Sequence, residues 1–355
     1  MIERSKIRGG VKAILRRNMQ LRRGETLLII TDVPTADEWR SQTPEKLEDM
    51  VKRNLLAKAI VEIAETEHPI SDIVFQTYPS VGRHSAEPGR DVREHMAGSD
   101  VVLAVTTYSI SHTDARKAAT EAGSRVASMP GVLEYMFYPG GPMTADYQRI
   151  EFETFKLAEN LTGARRVRIR TEAGTDLTLS LEGRRVQADT GLLTERGSWG
   201  NLPAGEAYAA PLEGSGEGSV VIEPGCFPGL KKEMGLVFRN GELVKVSGGG
   251  AVGAWLRGLL KHTEDREPYV SRRNLAEFGI GTNPNARRFD NILEAEKIRG
   301  TVHIAVGSNY HIGGQIKADL HQDFVIPLPK VEIDGRNVIV RGDCERELTI
   351  PSQGW

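Results

Sequence analysis

Short apolar runs separated by stretches of helical period set the pattern of the first half of the chain. Leu27-Leu28-Ile29-Ile30 opens after Arg23-Gly24 as a buried strand, and Leu55 to Ile63 repeats apolar positions at helical spacing. Ile73-Val74-Phe75 and Val101 to Val105 read as further strands, the second entered through the turn Gly98-Ser99-Asp100. A helix from about Thr113 to Glu121, capped by Ser111 or Thr113 and stopped near Gly123, leads into the strand Arg125-Val126-Ala127. Strands alternating with helices predict an open, mostly parallel, Rossmann-like α/β sheet over residues 1–160. Neither Gly9-Gly10 nor Gly140-Gly141 has the strand-turn-helix context of a nucleotide loop, so no nucleotide is expected on it.

After Asn160-Leu161-Thr162-Gly163 the period shortens. Val167 to Arg170, Asp176 to Ser180, Ser219 to Ile222 and Leu236 to Phe238 alternate or cluster as strands. Asn240-Gly241 and Asp334-Gly335 are hairpin signals, because both residues of a tight hairpin turn need positive φ. One helix, Ala251 to His262, interrupts them. Residues 161–355 are therefore expected to form a β-rich α+β domain.

Composition changes this picture mainly by exclusion. The chain has 355 residues, long enough for two cores, with 46 basic against 48 acidic side chains and a net charge of -2. That balance gives no reason to seek nucleic acid or anionic lipid. No apolar stretch reaches membrane-span length, and the charged opening Met1-Ile-Glu-Arg-Ser-Lys has no secretory core, so a cytoplasmic location is expected. Two distant cysteines, Cys226 and Cys344, argue against a disulfide scaffold or a zinc ribbon.

The chemistry concentrates in the second half. His303 stands alone in the apolar run Thr301 to Val306, and His321-Gln322-Asp323 opens another. In a strand, residues two apart share a face, so His321 and Asp323 are aimed together. Glu206 follows the turn Asn201-Leu202-Pro203-Ala204-Gly205, and Glu277 lies among apolar residues and glycines in Asn274 to Asn283. A buried carboxylate needs a cation or hydrogen bonds to stay ionised. Each residue alone has a bland reading: a solvated glutamate, a satisfied core histidine. Together the five nitrogen and oxygen donors suit a pair of divalent ions roughly 3.5–4 Å apart. With no thiolate among them, zinc, cobalt or manganese is expected.

These segments resemble the metallo-aminopeptidase family that includes aminopeptidase T and aminopeptidase S. The resemblance rests on Asn201 to Glu206, Glu277 to Asn283, Glu296-Lys297 through Gly307, and Leu320 to Asp323. Ser111 to Arg116 and Ala127 to Gly131 extend it into the first half. It implies that Glu206, Glu277, His303, His321 and Asp323 are metal ligands, that Tyr310 lies at the metal centre, and that the protein is a homodimer with a sheltered cavity. Tyr310 is followed by His311 where the family has a proline, a departure from its pattern. The ring-cleaving 2,5-dihydroxypyridine dioxygenases are similar in size and C-terminal organisation. They use one ferrous ion, for which His303, His321 and Asp323 would suffice, with His262 as a further imidazole.

The paired glutamates favour the first family. The expectation is an aminopeptidase, a metalloprotease-type hydrolase acting on small peptides through metal-activated water. Tyr310 would assist the oxyanion and Glu296 would be a general base. The alternative is a mononuclear Fe(II) dioxygenase.

Overall fold

The computed structural model describes residues 2–340 and the pair 343–344. Two compact units emerge. The first runs to Tyr147 and takes back Gly191–Ala204; the second holds Gln148–Thr190 and continues from Gly205.

In the first unit, β1 (Thr26–Val33), β2 (Asp72–Pro79), β3 (Val101–Ala104), β4 (Arg125–Ser128) and β8 (Trp199–Asn201, numbered along the chain) form a parallel sheet in the order β2-β1-β3-β4-β8. Leu27 to Ile30 are fully buried, as expected of a parallel strand covered on both faces. The helical stretch around Leu55 belongs to a longer helix, Pro44–Glu67, which starts where the Thr43 side chain accepts from Lys46 N. Helix Asp114–Ala122 is capped by Thr113 and ends at Gly123, whose φ of 104° suits glycine.

The second unit has two antiparallel sheets. One contains β5 (Val167–Arg170), β6 (Asp176–Leu179), β10 (Glu217–Ile222), β11 (Met234–Arg239), β12 (Glu242–Gly248), β16 (Lys330–Ile333), β17 (Arg336–Val340) and β18 (Asp343–Cys344). The hairpins at Asn240-Gly241 and Asp334-Gly335 form with positive φ at all four residues. The other sheet has the order β15-β14-β13-β9-β7: His321–Ile326, Val302–Gly307, Leu275–Gly281, Glu206–Ala209 and Gln187–Asp189. Apolar faces of both sheets share one core, where Ile169, Leu177, Val220 and Leu236 meet Phe278, Ile280, Ile304 and Phe324. Helix Gly250–Leu260 adds Leu256 and Leu260 to it.

The fold class is thus a parallel α/β unit followed by a β-rich one. Among the described residues no helix is long and apolar enough to cross a membrane.

Candidate metal centre

The five-stranded sheet divides its residues cleanly between two faces. Ala207, Ala209, Phe278, Ile280, Val302, Ile304, Val306, Phe324 and Ile326 enter the core. The alternate positions carry Glu206, Tyr208, Glu277, His303, His321 and Asp323 on the opposite face, as the two-residue strand period requires. Two cross-strand rows order them: Glu277, Ala305 and Asp323 lie in register, and so do Tyr208, Gly279, His303 and Val325.

Local backbone features aim the ligands. A register shift between Leu275 and Glu277 sends Leu275 into the core and Glu277 to the polar face. The small Ala305 between the two carboxylates lets Glu277 and Asp323 approach over it. At Gly279 a Cβ would overlap the His303 imidazole, so the missing side chain is what admits the ring. Gly205, with φ 119°, bonds through its N–H to Asp189 O and its carbonyl to Thr282 N, setting Glu206 at the head of β9.

The side chains converge. His303 Nε2 lies 3.3 Å from Glu206 Oε2 and 3.3 Å from Glu277 Oε1. His321 Nε2 lies 3.2 Å from Glu277 Oε2 and 3.6 Å from Asp323 Oδ1. Two ligand groups result: Glu206, Glu277 and His303, all buried, and Glu277, His321 and Asp323, where the last two are partly open to solvent. Glu277 belongs to both, and the two imidazoles fall in different groups. The donor set fits a divalent first-row ion, and Glu206 Oε2 is buried without a hydrogen-bond partner.

Sequence reading missed Lys297 and Tyr208. Glu296, expected as a general base, is partly buried, and the neighbouring Lys297 is only 1% exposed. Its Nζ donates to Glu206 Oε1 at 2.6 Å and to Glu296 Oε2 at 3.1 Å. Tyr208 shares the polar face with Glu206, a position the two-residue spacing could have flagged, and its hydroxyl donates to Gln187 Oε1. Tyr310 is not brought into the cluster: it is 48% exposed, with Lys317 Nζ 4.0 Å from its ring centroid and His311 edge-on to it. His262 also stays out, both ring nitrogens buried without hydrogen-bond partners.

Electrostatics follow the geometry. Burial alone would raise the Glu277 pKa, but hydrogen bonds and charge from His303 and His321 hold it below the ordinary carboxylate value. Burial works against the charged form of His303 too, yet the Glu277 hydrogen bond and the Glu206 carboxylate lift it to about 9. Glu296 is pushed up to about 8 by burial and by Asp323, against the pull of Lys297. Burial opposes the Lys297 charge, but Glu206 and Glu296 raise its pKa well above the usual range.

Comparison with known proteins decides between the two chemistries that these donors serve. The model of the family described as NicX, 2,5-dihydroxypyridine 5,6-dioxygenase, matches residues 13–346. A 2,5-dihydroxypyridine 5,6-dioxygenase of Pseudomonas putida is 26% identical over 259 residues, covering 68% of this chain and 70% of the relative. The solved 2,5-dihydroxypyridine dioxygenase of Pseudomonas putida superposes with a TM-score of 0.71 at 16% identity, over 97% of this chain and 98% of that one. Aminopeptidase T of Thermus thermophilus shares the fold at a TM-score of 0.61 and 17% identity, over 95% and 99% of the two chains.

The expected aminopeptidase activity, and with it the hydrolase, protease and metalloprotease assignments, is therefore corrected to a dioxygenase. The reason is physical. Both glutamates do stand beside His303, so ligand number does not separate the two chemistries, and the likeness to aminopeptidase T is one of fold. The pair of ions inferred from that number gives way to the single metal expected of a dioxygenase of this kind. The chain belongs to the 2,5-dihydroxypyridine 5,6-dioxygenase family.

Proposed function

We propose that this protein is a mononuclear Fe(II) dioxygenase that opens a hydroxylated pyridine ring, with 2,5-dihydroxypyridine as the first substrate to test. The observation that carries this reading is the family match over residues 13–346. The partly exposed ligand group supports it, because ring and dioxygen must both reach the metal. His321, Asp323 and Glu277 would hold the ion, and a ferrous ion there would supply the redox centre for joining dioxygen to an electron-rich ring.

The residues around it prepare that position. His321 Nδ1–H donates to the Ser308 carbonyl at 2.8 Å, which fixes the tautomer and leaves Nε2 as the ligand atom. His303 donates from Nε2 to Glu277 Oε1 and holds that carboxylate from the buried side. Glu206 backs His303 and is itself held by Lys297. Phe324, Val325 and Ile326 are fully buried, which keeps the root of the ligand strand dry and rigid.

The test is oxygen uptake. Protein loaded anaerobically with Fe(II) is mixed with 2,5-dihydroxypyridine, and consumption of one dioxygen per ring, with loss of the aromatic absorbance, is expected. Iron bound at one per chain with no oxygen consumed would sink this reading.

A further inference from the structure

Five carboxylate and imidazole ligands are more than one ion needs, and the inner end of the cluster already holds a cation. Lys297 Nζ sits 2.6 Å from Glu206 Oε1 and 3.1 Å from Glu296 Oε2, with the side chain 1% exposed. The backbone beneath it is fixed: Lys297 N–H bonds to Glu294 O, and its carbonyl accepts from Asn283 N. An ammonium this deeply buried stays charged only beside carboxylates, and they in turn need it. Glu206 is thereby committed to the ammonium through Oε1, while its Oε2 faces His303 Nε2 at 3.3 Å.

We propose that Lys297 is the permanent second cation of this centre: its ammonium occupies the inner Glu206–Glu296 carboxylate pair and leaves a single divalent-ion position at the outer group. The proposal rests on the metal-dependent part of the reading above and not on ring cleavage. It accounts for a donor set large enough for two ions in a family whose reaction calls for one. Removing the ammonium leaves Glu206, which faces His303, and the partly buried Glu296 without the cation that pairs them. Carboxylate and imidazole oxygens and nitrogens of this kind take a divalent ion readily.

The experiment is equilibrium dialysis with Co(II) as the probe, on the unaltered chain, Lys297→Ala, Lys297→Arg, and Lys297→Ala combined with Glu206→Gln. The expected stoichiometries are one, two, one and one ion per chain. Two ions in the unaltered chain, or a single ion in folded Lys297→Ala, would overturn the proposal. Should Lys297→Ala fail to fold, the unaltered chain still decides, one ion supporting the proposal and two refuting it. An unaltered chain that binds no Co(II) would instead remove the metal-dependent reading on which the proposal stands. One ion without oxygen uptake removes only the ring-cleaving activity.

Discussion

His303 reaches Glu206 only because the neighbouring strand carries no side chain at Gly279, where a Cβ would overlap the imidazole. Gly279→Ala should therefore displace the ring and loosen its hold on Glu277. A loss of metal affinity of about 10- to 100-fold is expected, the usual range for a disturbed supporting shell, measured by titration with Co(II). The same histidine makes metal uptake depend on pH. Its pKa is raised from 6.5 to about 9, so metal-free protein carries the proton at neutral pH. That proton stabilises the metal-free fold fully below 6.5, and the contribution is lost as pH rises through about 9. A bound dication opposes it, and His321, which Asp323 and Glu277 hold protonated against burial, must give up its proton too, so affinity should climb as pH rises toward about 9. Calorimetry in buffers of different ionisation enthalpy would register the released proton; flat affinity and no release would remove His303 from the centre.

Strands carry the ligands as by-products of carrying the core. β13 alternates Phe278 and Ile280 inward with Glu277, Gly279 and Gly281 outward, so its packing and its chemistry share one backbone. Phe278→Ala is expected to cost about 3–5 kcal/mol, the range for deleting a buried aromatic, and to lower metal affinity as well. Denaturant unfolding with and without metal would separate the two effects. Much of this was legible: the period of two placed His321 with Asp323, and the lone polar residues in apolar runs marked Glu277 and His303. The register shift at Ala276 was not, because a bulge is set by pairing with β14 and leaves no local signature. Lys297 was missed for a related reason, since a Glu-Lys pair reads as solvated until the fold closes over it.

For the whole molecule, the alternation of strands and helices was enough to foresee the two kinds of sheet. It did not foresee that Gly191–Ala204 returns to the first unit, which brings β8 into the parallel sheet. The reaction was the least legible part. Imidazole and carboxylate donors serve hydrolysis and oxygen chemistry alike, and the fold is shared by solved examples of both. Because every ligand lies in the second unit, metal binding should stabilise that unit selectively. Hydrogen exchange on adding Co(II) is expected to slow in β9 and β13 to β15 while β1 to β4 stay unchanged; uniform slowing would contradict a site confined there.

The division of the five-stranded sheet into an apolar and a polar face also guards its accuracy. A slip of one residue in β14 or β15 would turn His303 or His321 away from the centre, but it would equally turn Ile304 or Phe324 out of the core. Misplaced ligands are thus rejected by the hydrophobic effect before any metal arrives. The apolar face works as a proofreader for the polar one, and a slipped register is corrected during folding.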